Sequence, residues 1–268
     1  MENTKLQKDS IHQPELWSMA LEIRKDCVNV ALFPPTSGET PITTSLHLGT
    51  APDYSQEKFV ESLSAAIYDN PLLLSDFKHI FCLVDTVFTI TPDSEDKELY
   101  FETLFPDSEC QCDILSGGEA LLFESPRELF SFLIRTFFGI KIKHRLSTLI
   151  DYTARTATNG ENIFVNETGR KTDIITFSNG KLLMANTFPT QAGVDEFYYV
   201  TAMSHAYGLK KPKIYVRGSN SGSESRLTAV TPKTLDLHPL LTEADITSGS
   251  KNPIEMPLTL IALKQCEL

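Results

Sequence analysis

No stretch of this 268-residue sequence approaches the ~18–20 uninterrupted apolar residues that a membrane-spanning helix needs. The opening segment, Met1 to Pro14, is polar and lacks the apolar core of a secretory signal, so residues 1–14 read as a disordered tail. Cysteine is sparse and unpaired in pattern: Cys27, Cys82, Cys110, Cys112 and Cys266 are an odd number at irregular spacing. That argues against a disulfide framework and for a reducing, cytoplasmic setting. Positive charge is short as well. Lysine and arginine total 24 against 35 acidic residues, a net charge of −11. A chain of that sign is a poor match for phosphate backbones or anionic membrane surfaces.

The usual metal and phosphate signatures are missing too. Cys110 and Cys112 have no further cysteine or histidine at zinc spacing, and the six histidines include no His-Glu-x-x-His. No Walker A lysine follows Gly218 or Gly222. What remains is an ordinary globular balance, 41% hydrophobic and 22% charged. A chain this long buries roughly 70–75% of its unfolded surface and needs no staple.

The pattern of that apolar content is repeated. Met19, Leu21 and Ile23 alternate with Ser18, Ala20 and Glu22, the period of a half-buried strand. Val28, Val30 and Leu32 share one face of a second strand, and Ile42 to Leu48 forms a third. Gln56 to Tyr68 is a helix whose Phe59, Val60, Leu63, Ala66 and Ile67 make one stripe, ended by Asn70-Pro71. Ile80 to Val84 is apolar without alternation, as in a strand covered on both faces.

The same order returns later. Ile163 to Val165, Ile174 to Phe177 and Leu182 to Phe188 are strands, the last two joined by Ser178-Asn179-Gly180-Lys181. Asn-Gly between apolar runs is a type I′ hairpin signal, because both central residues need positive φ. A buried helix over Val194 to Tyr207 and a covered strand over Ile214 to Val216 complete the unit. This is a repeat of pattern, with little residue identity.

Between the copies, Val87 to Ile90 reads as a strand and Ser94 to Leu104 as an acidic helix. Ser125-Pro126-Arg127-Glu128 has the form of a capping box before a helix with Leu129, Phe130, Leu133 and Phe137 inward. Ile140 to Lys143 reads as a strand and Leu146 to Arg155 as a helix able to bridge the halves. Ser219 to Ser223 reads as a flexible loop, and Pro257 to Leu263 as a last strand.

Three antiparallel strands, a helix and parallel strands, made twice, resemble the actin-like ATPases of the ribonuclease-H-like superfamily. Phe88-Thr-Ile-Thr-Pro92, Gly180-Lys-Leu-Leu-Met-Ala-Asn-Thr-Phe188 and Asp195-Glu-Phe-Tyr-Tyr199 resemble a bacterial family of unknown function with that fold. The resemblance implies an α/β protein of two lobes. Each lobe has a mixed sheet, three antiparallel strands plus parallel strands, flanked by helices. The lobes are expected over 15–138 and 139–268.

In active members of the superfamily, the first hairpin of each half carries an Asp-x-Gly turn that positions Mg²⁺ and presents amides to phosphate. Here the first hairpin, Glu22-Ile-Arg-Lys-Asp-Cys-Val28, has no glycine and reads as a plain solvated turn. The second, Asn166-Glu-Thr-Gly-Arg-Lys-Thr172-Asp173, places an amide where the superfamily has aspartate. An amide is no base and a poorer Mg²⁺ ligand. Glu167 is the nearby substitute, but pleating points it to the opposite side of the strand. The superfamily's adenosine-side glycine pair is reduced to Gly218.

The cofactor-binding candidates are therefore Asn166, Gly169, Thr172 and Gly218, with no catalytic or metal residue assigned. The favoured expectation is a non-catalytic binding or scaffold protein that takes another protein as partner, with ATP and Mg²⁺ not favoured. The alternative is an ATPase or kinase with Asn166, Gly169 and Thr172 around phosphate and Glu22 or Asp26 on the metal. A nuclease built on Glu22 and Asp85 ranks last. The aromatic run Phe197-Tyr198-Tyr199 reads as core, and Lys210, Lys211 and Lys213 as solvated charge.

Overall fold

A computed structural model describes residues 11–36, 39–49, 55–218, 225–232, 235–240 and 256–268. Residues up to Ser147, with Glu267 and Leu268, form one compact unit, and Thr148–Cys266 form a second.

The first unit is built on β1 (Ser18–Ile23), β2 (Cys27–Phe33), β3 (Ile42–His47), β4 (His79–Val84) and β8 (Lys141–His144), in the sheet order β3-β2-β1-β4-β8. The β1–β2 and β2–β3 pairs are antiparallel, and β1–β4 and β4–β8 are parallel. Every residue of β1 is buried, as the central position requires. Helix α1 (Gln56–Tyr68) starts on Ser55, whose Oγ accepts from the Lys58 amide at 3.4 Å, and seats Leu63 and Ile67 inward. Lys141–His144, expected as the start of the second lobe, is instead the fifth strand of the first sheet. Ile11, expected within the tail, is buried; residues 1–10 of that tail lie outside the described residues.

Between β4 and β8 the chain builds a separate three-stranded antiparallel sheet. Its strands are β5 (Phe88–Pro92), β6 (Cys110–Ile114) and β7 (Glu119–Glu124), in the order β5-β7-β6. Helix α2 (Lys97–Leu104) packs on β5 and β7. Helix α3 (Arg127–Thr136) follows, with Leu129, Phe130, Phe132 and Leu133 buried. The expected capping box is not made: Pro126 holds the cap position, with no side-chain cap bond. The Ser125 amide bonds instead to the Glu109 carbonyl at 2.8 Å, fixing that residue to the neighbouring sheet.

Helix α4 (Arg145–Ala154) leads into the second unit. There β9 (Glu161–Thr168), β10 (Lys171–Ser178), β11 (Lys181–Pro189), β12 (Lys213–Arg217) and β13 (Leu237–Pro239) order as β11-β10-β9-β12-β13, the arrangement of the first sheet. The duplication seen as periodicity is thus a duplication of strand order. Asn179 and Gly180 have φ of 49° and 78°, the two positive values of the expected type I′ turn.

Helices α5 (Gly193–Ala206) and α6 (Arg226–Val230) cover one face of this sheet. Ile163, Val165, Ile174, Val200, Ile214 and Leu227 form the core there. Phe197 and Tyr199 pack on it while Tyr198 is exposed, so only two residues of the aromatic run are core. On the other face Phe164 stacks on Tyr215 at 4.9 Å and meets Phe177 edge-on.

The last apolar run is not a strand. Leu258–Glu267 is helix α7, with Leu258 to Leu263 all buried. A short continuous apolar run carries no period, and Leu and Ala favour the helix once both sides are covered. The loop expected at Ser219 to Ser223 lies outside the described residues.

Candidate functional site

In open α/β sheets, chemistry gathers where parallel strands end. At the end of β9, pleating sends Asn166 and Glu167 to opposite faces. Glu167 turns toward the helices. Its carboxylate accepts from Ser225 Oγ at 2.9 Å and from the backbone amides of Arg226 and Leu227 at 3.1 and 3.0 Å. Ser225 in turn caps α6 by accepting from the Thr228 amide at 3.1 Å. Glu167 thereby satisfies amides at the start of α6 that have no partner within the helix.

The Arg226 guanidinium closes the arrangement. Nη1 donates to the Gly169 carbonyl at 2.7 Å, and Nη2 reaches Glu196 Oε1 at 2.6 Å and Thr190 Oγ1 at 3.3 Å. Nε stands 3.7 Å from Glu167 Oε2. Thr172 Oγ1 donates to Glu196 Oε1 at 2.9 Å and contacts Thr190 Oγ1 at 2.8 Å. Glu196, on α5, is fully buried; its Oε2 has no hydrogen-bond partner, nor does Arg226 Nε. Two carboxylates thus surround one guanidinium, which cannot give up its proton.

α5 and α6 approach this closely because Gly193 has no Cβ. A Cβ there would stand 2.0 Å from the Arg226 carbonyl oxygen.

The sequence candidates are distributed as follows. Asn166 is buried on the opposite face, donating Nδ2 to Asp173 Oδ2 at 2.9 Å. Thr187 Oγ1 donates to the other oxygen of Asp173 at 2.8 Å. Gly169, at φ 59°, is the first of only two residues between the paired Thr168 and Lys171. Glycine first with negative φ second is the form of a type II′ turn. Thr172 is fully buried. Gly218 follows β12 and is half-buried. Gly169 and Thr172 therefore meet at Arg226, and Asn166 and Gly218 do not.

Sequence reasoning missed Glu196, Thr190, Arg226 and Asp173. Asp173 was within reach, since counting back from the hairpin turn pairs it with Asn166. The available signal for Glu196 is that it is an acid inside an apolar helix. Arg226 carries no local signal, because its partners lie up to 59 residues earlier.

The equivalent end of the first sheet is also occupied from within. The first hairpin turns in solvent at Lys25 and Asp26, as the sequence suggests, but Glu22, at the end of β1, is fully buried. Arg24 Nε and Nη2 each reach a Glu22 oxygen at 3.1 Å, and Asn29 Nδ2 donates to Oε2 at 2.8 Å. Burial acts to discharge the Arg24 guanidinium, but the charge and hydrogen bond of Glu22 outweigh it and raise its pKa. Asp85, beyond β4, pairs with Arg145 Nε at 3.0 Å. Asp113 accepts from the His144 amide at 2.8 Å and from Ser147 Oγ at 2.6 Å. Asp26, in the turn, is exposed.

Among the described residues, no three His, Cys, Asp or Glu side chains gather so as to hold a metal ion, and no helix is long and apolar enough to cross a membrane. None of the five cysteines is in a disulfide, and burial pushes the Cys82, Cys110 and Cys112 thiols up, away from the reactive thiolate.

No curated protein matches the chain. Among solved structures it is similar to a Bacteroides thetaiotaomicron protein with an actin-like ATPase fold and unknown function. The identity is 15%, with 95% of this chain and 98% of that one covered and a TM-score of 0.74. It is more distantly similar to the PilM–PilN type IV pilus biogenesis complex, at 13% identity, 85% and 89% coverage and TM-score 0.46. For an Aquifex aeolicus Ppx/GppA phosphatase the values are 11%, 75%, 66% and 0.41. The two lobes therefore have the actin-like ATPase fold. A family model described as a protein of unknown function (DUF3822) matches residues 6–227, and the chain belongs to that family.

Proposed function

We propose that this protein is a non-catalytic binding or scaffold protein that takes another protein as its partner. It keeps the actin-like scaffold and fills the strand ends where a nucleotide would sit with its own side chains. The observation that carries this reading is Arg226, seated on the Gly169 carbonyl and held by Glu196.

A phosphate approaching this hairpin meets two carboxylates against one guanidinium, the wrong sign for an anion. Drawing Arg226 away would leave Glu196 buried and unpaired. Breaking such a pair costs about 3–5 kcal/mol, enough to weaken a ligand by roughly two to four orders of magnitude. In the first lobe, Glu22 is already committed to Arg24 and Asn29, which leaves it poorly placed to take a metal.

Isothermal calorimetry with ATP and Mg²⁺ tests the reading. The expected result is no heat of binding at micromolar nucleotide and no phosphate release. Micromolar binding with steady release of phosphate would overturn it.

A further inference from the structure

Helix α2 has an unusual distribution of side chains. It lays Phe101, fully buried and 4.9 Å from the Phe105 ring, against its sheet. Its solvent-facing side carries Leu99, Tyr100 and Leu104, which are 63%, 51% and 47% exposed. With Thr103 these fall at i, i+1, i+4 and i+5, a single stripe along an eight-residue helix. Three large apolar side chains facing water on one short helix are an unpartnered face, unlike scattered surface leucines.

The surroundings of that stripe are acidic. Between Asp93 and Glu109 the chain has seven acidic residues and one lysine, a net −6 of the chain's −11. The lysine, Lys97, is already paired with Asp93 at 2.5 Å. Glu98 and Glu102, one turn apart and exposed, run along one border of the stripe.

We infer that α2 is a docking surface for a basic amphipathic segment of another protein, one whose apolar side covers Leu99, Tyr100 and Leu104 while its lysines or arginines meet Glu98 and Glu102. Charge complementarity selects this occupant. A second copy of this chain would set one strongly acidic rim against another, and nucleic acid or an anionic bilayer would be repelled in the same way. The inference rests on the binding reading above and gives its partner a chemical class.

The test is a titration of the full chain, without nucleotide, with a labelled 14-residue amphipathic helical peptide of leucine and lysine, followed by fluorescence anisotropy. Two double variants divide the contributions: L99S/L104S removes the apolar stripe and keeps the charge, and E98K/E102K does the reverse. All four side chains are exposed, so folding should be retained, which a thermal melt checks. We expect micromolar binding by the native chain. Each double variant should weaken it at least tenfold, and slowed amide exchange should be confined to Lys97–Leu104 and its neighbours. Raising salt from 0.05 to 0.5 M should weaken binding further in the native chain than in E98K/E102K.

No binding, equal binding by the variants, or protection elsewhere would overturn the surface. A dimer that L99S/L104S dissolves would do the same, assigning the face to self-association. Nucleotide calorimetry is read separately, so either conclusion can fail alone.

Discussion

The ends of the two sheets reach a similar result by different routes. In the first lobe a carboxylate and a guanidinium two residues apart, Glu22 and Arg24, close on each other within one hairpin, with Asn29 from the facing strand. In the second, Glu167, Glu196 and Arg226 come from a strand and two helices. The local pair satisfies a buried acid and does little else. The long-range cluster also ties α5 and α6 to the hairpin, so it is a tertiary joint as well as a filled site. A similar electrostatic arrangement thus has different structural weight according to how much chain it connects.

The largest effect should follow from breaking the long-range joint. Glu196→Ala leaves Arg226 without its 2.6 Å partner and should cost about 3–5 kcal/mol in urea unfolding. Because Thr172 and Glu167 share the network, a cycle with Arg226→Ala should be strongly non-additive. A cost under about 1 kcal/mol would erase the distinction between the lobes.

Arg24→Ala should cost less, about 1–2 kcal/mol. Its side chain is a quarter exposed, and Asn29 still holds Glu22. If urea unfolding gave it a cost equal to that of Glu196→Ala, the local pair would be carrying the same structural weight.

The smallest effect is at the start of α5. Asp195 accepts from the backbone amides of Gln191 and Ala192, which hold its carboxyl below the usual value of 3.8. A carboxyl depressed on folding adds stability that is complete above its unfolded value and is lost as pH falls through the folded one. Neutral-pH stability should therefore be flat in this respect, with a decline only in acid below about pH 4. Asp195→Asn should flatten that part of the stability profile, and an unchanged acid limb would show that the cap contributes nothing there.

Much of the fold could be read in the chain because period and turn chemistry agreed. The alternation in Ser18–Ile23, the stripe in Gln56–Tyr68 and the Asn179-Gly180 turn each point to one structure. Where a segment had no period, reading failed. Leu258–Glu267 gave an apolar run that a buried strand or a buried helix would equally produce. Leu237–Pro239, three residues long, gave no signal at all.

The site was legible only in part. The hairpin around Gly169 could be located because glycine punctuates a turn, and pleating correctly separated Asn166 from Glu167. What fills the hairpin depends on contacts 24 and 54 residues from Thr172, at Glu196 and Arg226, which no local pattern reports.

The spacing of that joint also orders events in time. Glu167 and Glu196 are both synthesised before Arg226, and Glu167 precedes it by 59 residues. At a translation rate of about 5–20 residues per second, that is a gap of roughly 3–12 s. During it the nascent second lobe can pair β9, β10 and β11, yet it holds two acids that lack their cation. Burying an unpaired carboxylate is costly, so the end of the sheet near Gly169 stays hydrated until residue 226 arrives. Closure of that sheet end therefore waits on the entry of one arginine, ahead of β13 and α7, and a chain truncated before it would carry an open, acid-lined sheet end that the folded chain does not show.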